Sequence, residues 1–151
     1  MRAATTPEVA LWRDTTLRRN DKTSWQARQA TGLWLADSHP VVRADALQIV
    51  AELVANVIQH VPGGPQRNWV ALRLGFGDEF IRLEVTDPGT HDTEPRFAAL
   101  QVESEEESGR GLGIVAALSI RYGTAVGANG HRVVWADLAH THDGAPGTSS
   151  L

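Results

Sequence analysis

The sequence predicts an α+β fold: a two-layer sandwich with about three helices on one face of a mixed, mainly antiparallel sheet. Three observations carry that reading. Apolar residues recur at helical spacing over residues 41–61, at Ala46, Ile49, Val50, Leu53, Val57 and Val61. Two pairs of apolar, strand-like segments meet at short glycine-bearing turns, Gly77-Asp78 and Gly127-Ala128-Asn129-Gly130, which read as hairpins. The resulting order is helix, helix, strand, strand, loop, helix, strand, strand, not the steady alternation of a parallel sheet. A chain of 151 residues suits a single domain.

Each element follows in order. Residues 1–8 are small and polar and read as a flexible arm. Val9, Leu11 and Trp12 form a short strand, and polar Arg13 to Thr23 a loop. Ser24 caps a helix over 25–37, with Trp25, Trp34 and Leu35 among its larger apolar groups. His39-Pro40 breaks that helix. A second helix runs from Val41 to His60 and ends at Pro62-Gly63-Gly64-Pro65. Trp69 to Phe76 sets Val70, Leu72 and Leu74 on one face; Phe80 to Asp87 does the same with Ile81, Leu83 and Val85. Residues 88–110 have no steady period and form a long loop. Gly111 to Ile120 is a third helix, Tyr122 to Val126 and Arg132 to Leu138 a second hairpin, and 139–151 a flexible tail. The folded domain is therefore 9–138.

Composition removes several classes of function. Cysteine is absent, which excludes disulfides, thiolate zinc sites and a cysteine nucleophile and fits a cytoplasmic protein. No apolar run reaches the roughly 18 residues of a membrane helix, and Met1 to Arg13 hold no apolar core of a secretory signal, so neither is expected. Lys and Arg number 14 against 18 Asp and Glu, a formal charge of −4. Direct nucleic-acid binders are usually basic, so that class is disfavoured. One basic residue alone is a lysine, Lys22, and no glycine-rich loop precedes it. A Walker A loop and the strand lysine of a eukaryotic-type protein kinase are both missing. The five tryptophans, Trp12, Trp25, Trp34, Trp69 and Trp135, read as core or subunit-contact residues. His140 and His142 lack a third ligand and make a poor metal site.

Three groups of residues are able to carry chemistry. Glu52, Asn56 and His60 stand four residues apart in the second helix, which stacks them on nearly one face. On spacing alone, a solvated helix face with His60 near the C-terminal dipole is the better explanation of that stripe. Val85-Thr86-Asp87-Pro88-Gly89 ends an apolar strand in a carboxylate, with a glycine two residues on; taken alone, a plain turn is the better reading. Glu107-Ser108-Gly109-Arg110-Gly111-Leu112-Gly113 sets three alternating glycines at the opening of a helix. Each interior glycine costs about 1 kcal/mol relative to alanine. A reason to keep them is close approach of an anion to the free N–H groups of the helix start.

In this order the three groups resemble the GHKL ATPase superfamily, which includes histidine-kinase catalytic domains. Glu52-x-x-x-Asn56-x-x-x-His60 looks like its N box, Asp87-Pro88-Gly89 like its first glycine box, and Gly109-Arg110-Gly111-Leu112-Gly113 like its second. The stretch 107–115, with Val134 to Leu138, is most similar to stand-alone regulators of the anti-sigma factor serine/threonine kinase type. The resemblance implies the GHKL sandwich and ATP with Mg²⁺ as ligands. It implies Glu52 as general base, Asn56 as the Mg²⁺ ligand, and His60 as part of the nucleotide-binding helix face. Asp87 accepts from the adenine amino group and Gly89 lets the backbone approach the base. Gly109, Arg110, Gly111, Leu112 and Gly113 line the phosphates, and residues 90–108 form a lid. The implied partners are a sigma factor and an antagonist protein whose serine is phosphorylated, and a homodimer is compatible with the resemblance. No membrane and no direct nucleic-acid contact are implied. Two features depart from the family: Thr90-His91 follows Gly89 where a further glycine is common, and the lid carries Glu103, Glu105, Glu106 and Glu107. Those carboxylates oppose a triphosphate. They motivate a second reading, a nucleotide-gated protein-binding module with little or no kinase activity.

Overall fold

The computed structural model describes residues 8–89 and 109–140. The expected lid with its glutamates, most of the arm, and the tail beyond His140 lie outside the described residues. Five strands, β1 (Val9–Arg18), β2 (Trp69–Gly77), β3 (Phe80–Asp87), β4 (Arg121–Val126) and β5 (Arg132–Ala139), form one sheet in the order β1-β2-β3-β5-β4. Every neighbouring pair is antiparallel, so the parallel component that the expected mixed sheet allowed does not occur among the described residues. Three helices complete the domain: α1 (Thr23–Trp34), α2 (Pro40–His60) and α3 (Gly109–Leu118). Among the described residues no helix is long and apolar enough to cross a membrane.

The strand alternation builds the core. Val70, Leu72 and Leu74 of β2, Ile81, Leu83 and Val85 of β3, and Val134, Ala136 and Leu138 of β5 share one face and are all buried. Register aligns them across the sheet, with Leu72 beside Val85, Leu83 beside Ala136 and Ile81 beside Leu138. The helices meet this face through Ala27, Ala46, Ile49, Val50, Leu53, Val54, Val57 and Val115. Burying each Val, Leu or Ile is worth about 1.5–3 kcal/mol relative to exposure. Helix α2 is the hub, packing against α1, α3, β3 and β5.

Several boundaries differ from expectation, each for a physical reason. β1 continues through the segment expected as a loop, pairing with β2 from Leu11 to Arg18. It is an edge strand exposed along most of its length, so no apolar alternation is required of it, and its charges discourage further pairing. Ser24 does not cap α1. The helix starts two residues earlier than expected, at Thr23, whose Oγ1 accepts from the Asn20 N–H at 2.7 Å and also contacts the Arg18 carbonyl at 3.0 Å. The face α1 buries is made of small residues, Thr23, Ala27, Thr31 and Gly32, which leaves Trp25 54% exposed. The other four tryptophans are half-buried. Pro40 opens α2 behind His39, whose Nδ1 accepts from the Val41 N–H at 3.1 Å. α3 begins at Gly109 rather than Gly111, so all three alternating glycines lie inside the helix.

Candidate functional site

Helix α2 presents the first group. Asn56 is 5% exposed and lies between the core residues Leu53 and Val57, while Glu52 and His60 are half-buried. The burial of Asn56 sets the centre of the stripe apart from a fully solvated face. Its side-chain amide carries a carbonyl oxygen and two N–H donors.

Strand parity positions the second group. Asp87 follows Ile81, Leu83 and Val85 at two-residue steps, so it points to the helix side, one step beyond the apolar ladder. Its in-register neighbour on β5 is Arg132, which shares the parity of Val134, Ala136 and Leu138. Both are buried, Asp87 at 0% and Arg132 at 4% exposure. Arg132 Nε donates to Asp87 Oδ2 at 3.1 Å, and the Gly89 N–H donates to Oδ1 at 2.6 Å. Gly89 has φ +79°, in the left-handed region that only glycine adopts freely. A Cβ there would collide with the Gly130 carbonyl oxygen. Arg67 Nη2 donates to the Gly89 carbonyl and its Nε to the Pro62 carbonyl, tying the turn after α2 to the end of β3. Arg67 and Arg132 are site residues that the sequence reading missed. Parity marks Arg132 as helix-facing, but only the β3–β5 register shows that it meets Asp87.

Burial pushes the Asp87 carboxyl up from its ordinary value, and the Arg132 guanidinium, the Gly89 N–H and the Arg67 charge pull it back. The net displacement is upward. A carboxyl of this kind contributes stability that is complete below its unfolded pKa and disappears as pH rises through its folded one. Asp87→Asn removes that contribution. Urea melts from neutral pH down to the ordinary value of 3.8 should show wild-type stability gaining on the Asn variant as pH falls. A difference that stays constant with pH contradicts the burial argument.

The third group is the start of α3. The first four N–H groups of a helix have no acceptor within it, and here they belong to the glycine-rich turn from Gly109. The side chains of Arg110 and Leu112 lie outside what is described. At Gly113 a Cβ would meet nothing within 4 Å, so open space adjoins the helix there. α3 is anchored by Val115, which is fully buried, and packs on α2.

The three groups therefore sit on elements that pack on one another. Among the described residues no cluster of three His, Asp or Glu is able to cage a metal ion. Asn56 supplies a hard amide oxygen, Asp87 a carboxylate acceptor, and α3 a row of N–H donors.

A buried asparagine, a strand-end carboxylate and a glycine-rich helix start lie on one α+β sandwich. Residues 19–136 match the family described as the histidine kinase-like ATPase domain, and the chain belongs to that family. No curated protein matches it. The family implies ATP as ligand.

Proposed function

We propose that the protein is a cytoplasmic regulator of the anti-sigma factor type that binds Mg-ATP and phosphorylates a serine or threonine of an antagonist protein. The observation that carries the nucleotide site is Asn56, a buried amide on the helix that packs against β3, where Asp87 turns to the helix side. Asn56 would hold Mg²⁺ through its carbonyl oxygen, and the bound ion would supply charge neutralisation at the phosphates. Asp87 accepts from the exocyclic amino group of adenine, and Gly89 admits the base. His60, half-buried at the end of α2, closes the same helix face. The N–H groups of Gly109, Arg110, Gly111, Leu112 and Gly113 take the phosphates. Glu52, one helical turn before Asn56, takes the proton of the attacking hydroxyl as its oxygen bonds to the γ-phosphorus and ADP leaves. A sigma factor is the second partner, held or released with nucleotide state, and the active unit is a homodimer.

Calorimetric titration with a non-hydrolysable ATP analogue and Mg²⁺ tests this reading. Wild type should bind, and Asp87→Ala should weaken binding by about tenfold or more, the worth of a buried hydrogen bond. No binding by wild type overturns the nucleotide site. Binding with no phosphate transfer to any protein leaves a nucleotide-gated binding module in place of a kinase.

A further inference from the structure

We infer that Arg132 is the specificity-determining partner of Asp87: it holds the carboxylate in its acceptor-only form and so selects a purine that presents an amino group over one that presents an oxygen. The inference rests on the reading of Asp87 as the group that meets the base. It goes beyond that reading because Arg132 lies on β5, 45 residues away in the chain, and belongs to none of the three motifs.

The argument is geometric first. Asp87 is fully buried, and its two oxygens are oriented by two fixed donors from different segments, Gly89 N–H on Oδ1 and Arg132 Nε on Oδ2. Register locks the second of these, since Asp87 and Arg132 are direct neighbours across β3 and β5. Each carboxylate oxygen has two lone-pair directions, so each keeps one for a ligand. An ionised carboxylate only accepts; a protonated one also donates. Adenine offers an amino donor at its six-position, whereas hypoxanthine and guanine offer an oxygen there. An acceptor-only Asp87 pairs with the first and leaves two oxygens facing each other with the second. A protonated Asp87 pairs with either.

What decides between the two forms is the surrounding charge. Burial favours the neutral carboxyl. The cations that oppose it are Arg132 from β5 and, more weakly, Arg67 from the turn before β2. Arg67 acts at one remove, because its guanidinium bonds to the Gly89 carbonyl and not to the carboxylate. Arg132 alone supplies both a charge and a hydrogen bond to Asp87. Without it, the carboxylate loses its one charged hydrogen-bond donor, burial pushes it further toward the neutral form, and the discrimination fails. Arg132 is thus a positioning residue, acting on the base through Asp87.

The test compares Mg-ATP with Mg-ITP, which differ at the six-position, by calorimetry on wild type, Arg132→Met and Arg132→Lys. Wild type should prefer ATP. Arg132→Met, similar in length and uncharged, should lose about tenfold or more of that preference, the worth of one buried hydrogen bond. Arg132→Lys should keep most of it, because it restores the charge. A structural role alone lowers affinity for both nucleotides and leaves the ratio unchanged, and that result overturns the inference. Should Arg132→Met fail to fold, wild type decides alone. Its ATP preference should fall with pH in step with the carboxyl ¹³C titration of Asp87, and a preference that stays flat through that titration overturns the inference. Failure of wild type to bind either nucleotide overturns the underlying site and the inference with it. Nucleotide binding with a ratio indifferent to Arg132 overturns the inference alone.

Discussion

Asp137→Ala is expected to destabilise the fold by about 3–5 kcal/mol, the cost of removing one partner from a buried ion pair. Asp137 is fully buried on the sheet face opposite the helices and is held from both neighbouring strands. Arg82 of β3 binds it through Nε and Nη2 at 2.7 and 2.8 Å, and Arg121 of β4 binds Oδ2 at 2.9 Å. The Arg82 side chain is 11% exposed and that of Arg121 42%, so Arg82 carries most of the effect and Arg121 is largely solvated. Arg82 also lies 4.5 Å above the Trp135 ring, which keeps its charge in place when the carboxylate is gone. A guanidinium does not lose its proton in a protein, so Arg82 cannot escape the loss by becoming neutral. Urea melts should show a lower midpoint at unchanged slope. A loss below about 1 kcal/mol, the range of exposed pairs such as Arg73–Glu84 at 3.5 Å, contradicts this reading. Replacing Arg82 and Asp137 together by Leu should cost much less than Asp137→Ala, because the stranded charge is then gone too.

What the sequence reveals depends on whether a residue's role is local. The β3 alternation of Ile81, Leu83 and Val85 is local, and it puts Asp87 on the helix side by counting alone. The same holds for α2, whose long apolar period fixes the helix and its buried side. The Asp87–Arg132 pair and the Arg82–Asp137–Arg121 clamp are non-local. Both depend on β3 and β5 lying side by side in one register, although Asp87 and Arg132 stand 45 positions apart in the chain. Residue types show no trace of that register. β1 is illegible for a different reason. Held at the edge by backbone bonds to β2, it has no buried face to impose an alternation on its side chains. α1 misleads in the opposite sense: its large residues are drawn to attention, yet the helix approaches the core through Thr23, Ala27, Thr31 and Gly32, because small side chains let α1 lie close to its neighbours.

The site motifs were legible for one further reason: each is a contiguous string whose chemistry needs specific residue types. Burial adds what strings omit. Asn56 and Glu52 look alike in the pattern, two polar groups on one helix stripe. The structure separates them, with Asn56 buried and Glu52 half-buried. A metal ligand benefits from shielding, since its oxygen then faces little competition from solvent. A base that receives a proton from a partner's hydroxyl has to be reachable from outside. The two exposures match the two proposed roles.

That division leads to the second large effect. Glu52→Gln is expected to lower phosphate release from ATP by about a hundredfold to ten-thousandfold, the span of general-base contributions. ATP affinity should change by no more than about threefold, because the lost interaction forms only as the hydroxyl or water is deprotonated. The amide keeps the length and hydrogen-bonding shape of the carboxylate but does not take up a proton at neutral pH. It also removes a negative charge from a site that receives a triphosphate, so any shift in binding should be toward tighter binding. Asn56→Ala should behave in the opposite way, losing nucleotide affinity when Mg²⁺ is present and little when it is absent. Radiolabelled phosphate release, read beside calorimetric binding, separates the outcomes. Turnover retained in Glu52→Gln removes Glu52 as the base. Turnover and binding lost together make it a nucleotide-holding residue instead, and the half-buried position of Glu52 then serves the ligand and not the partner's hydroxyl.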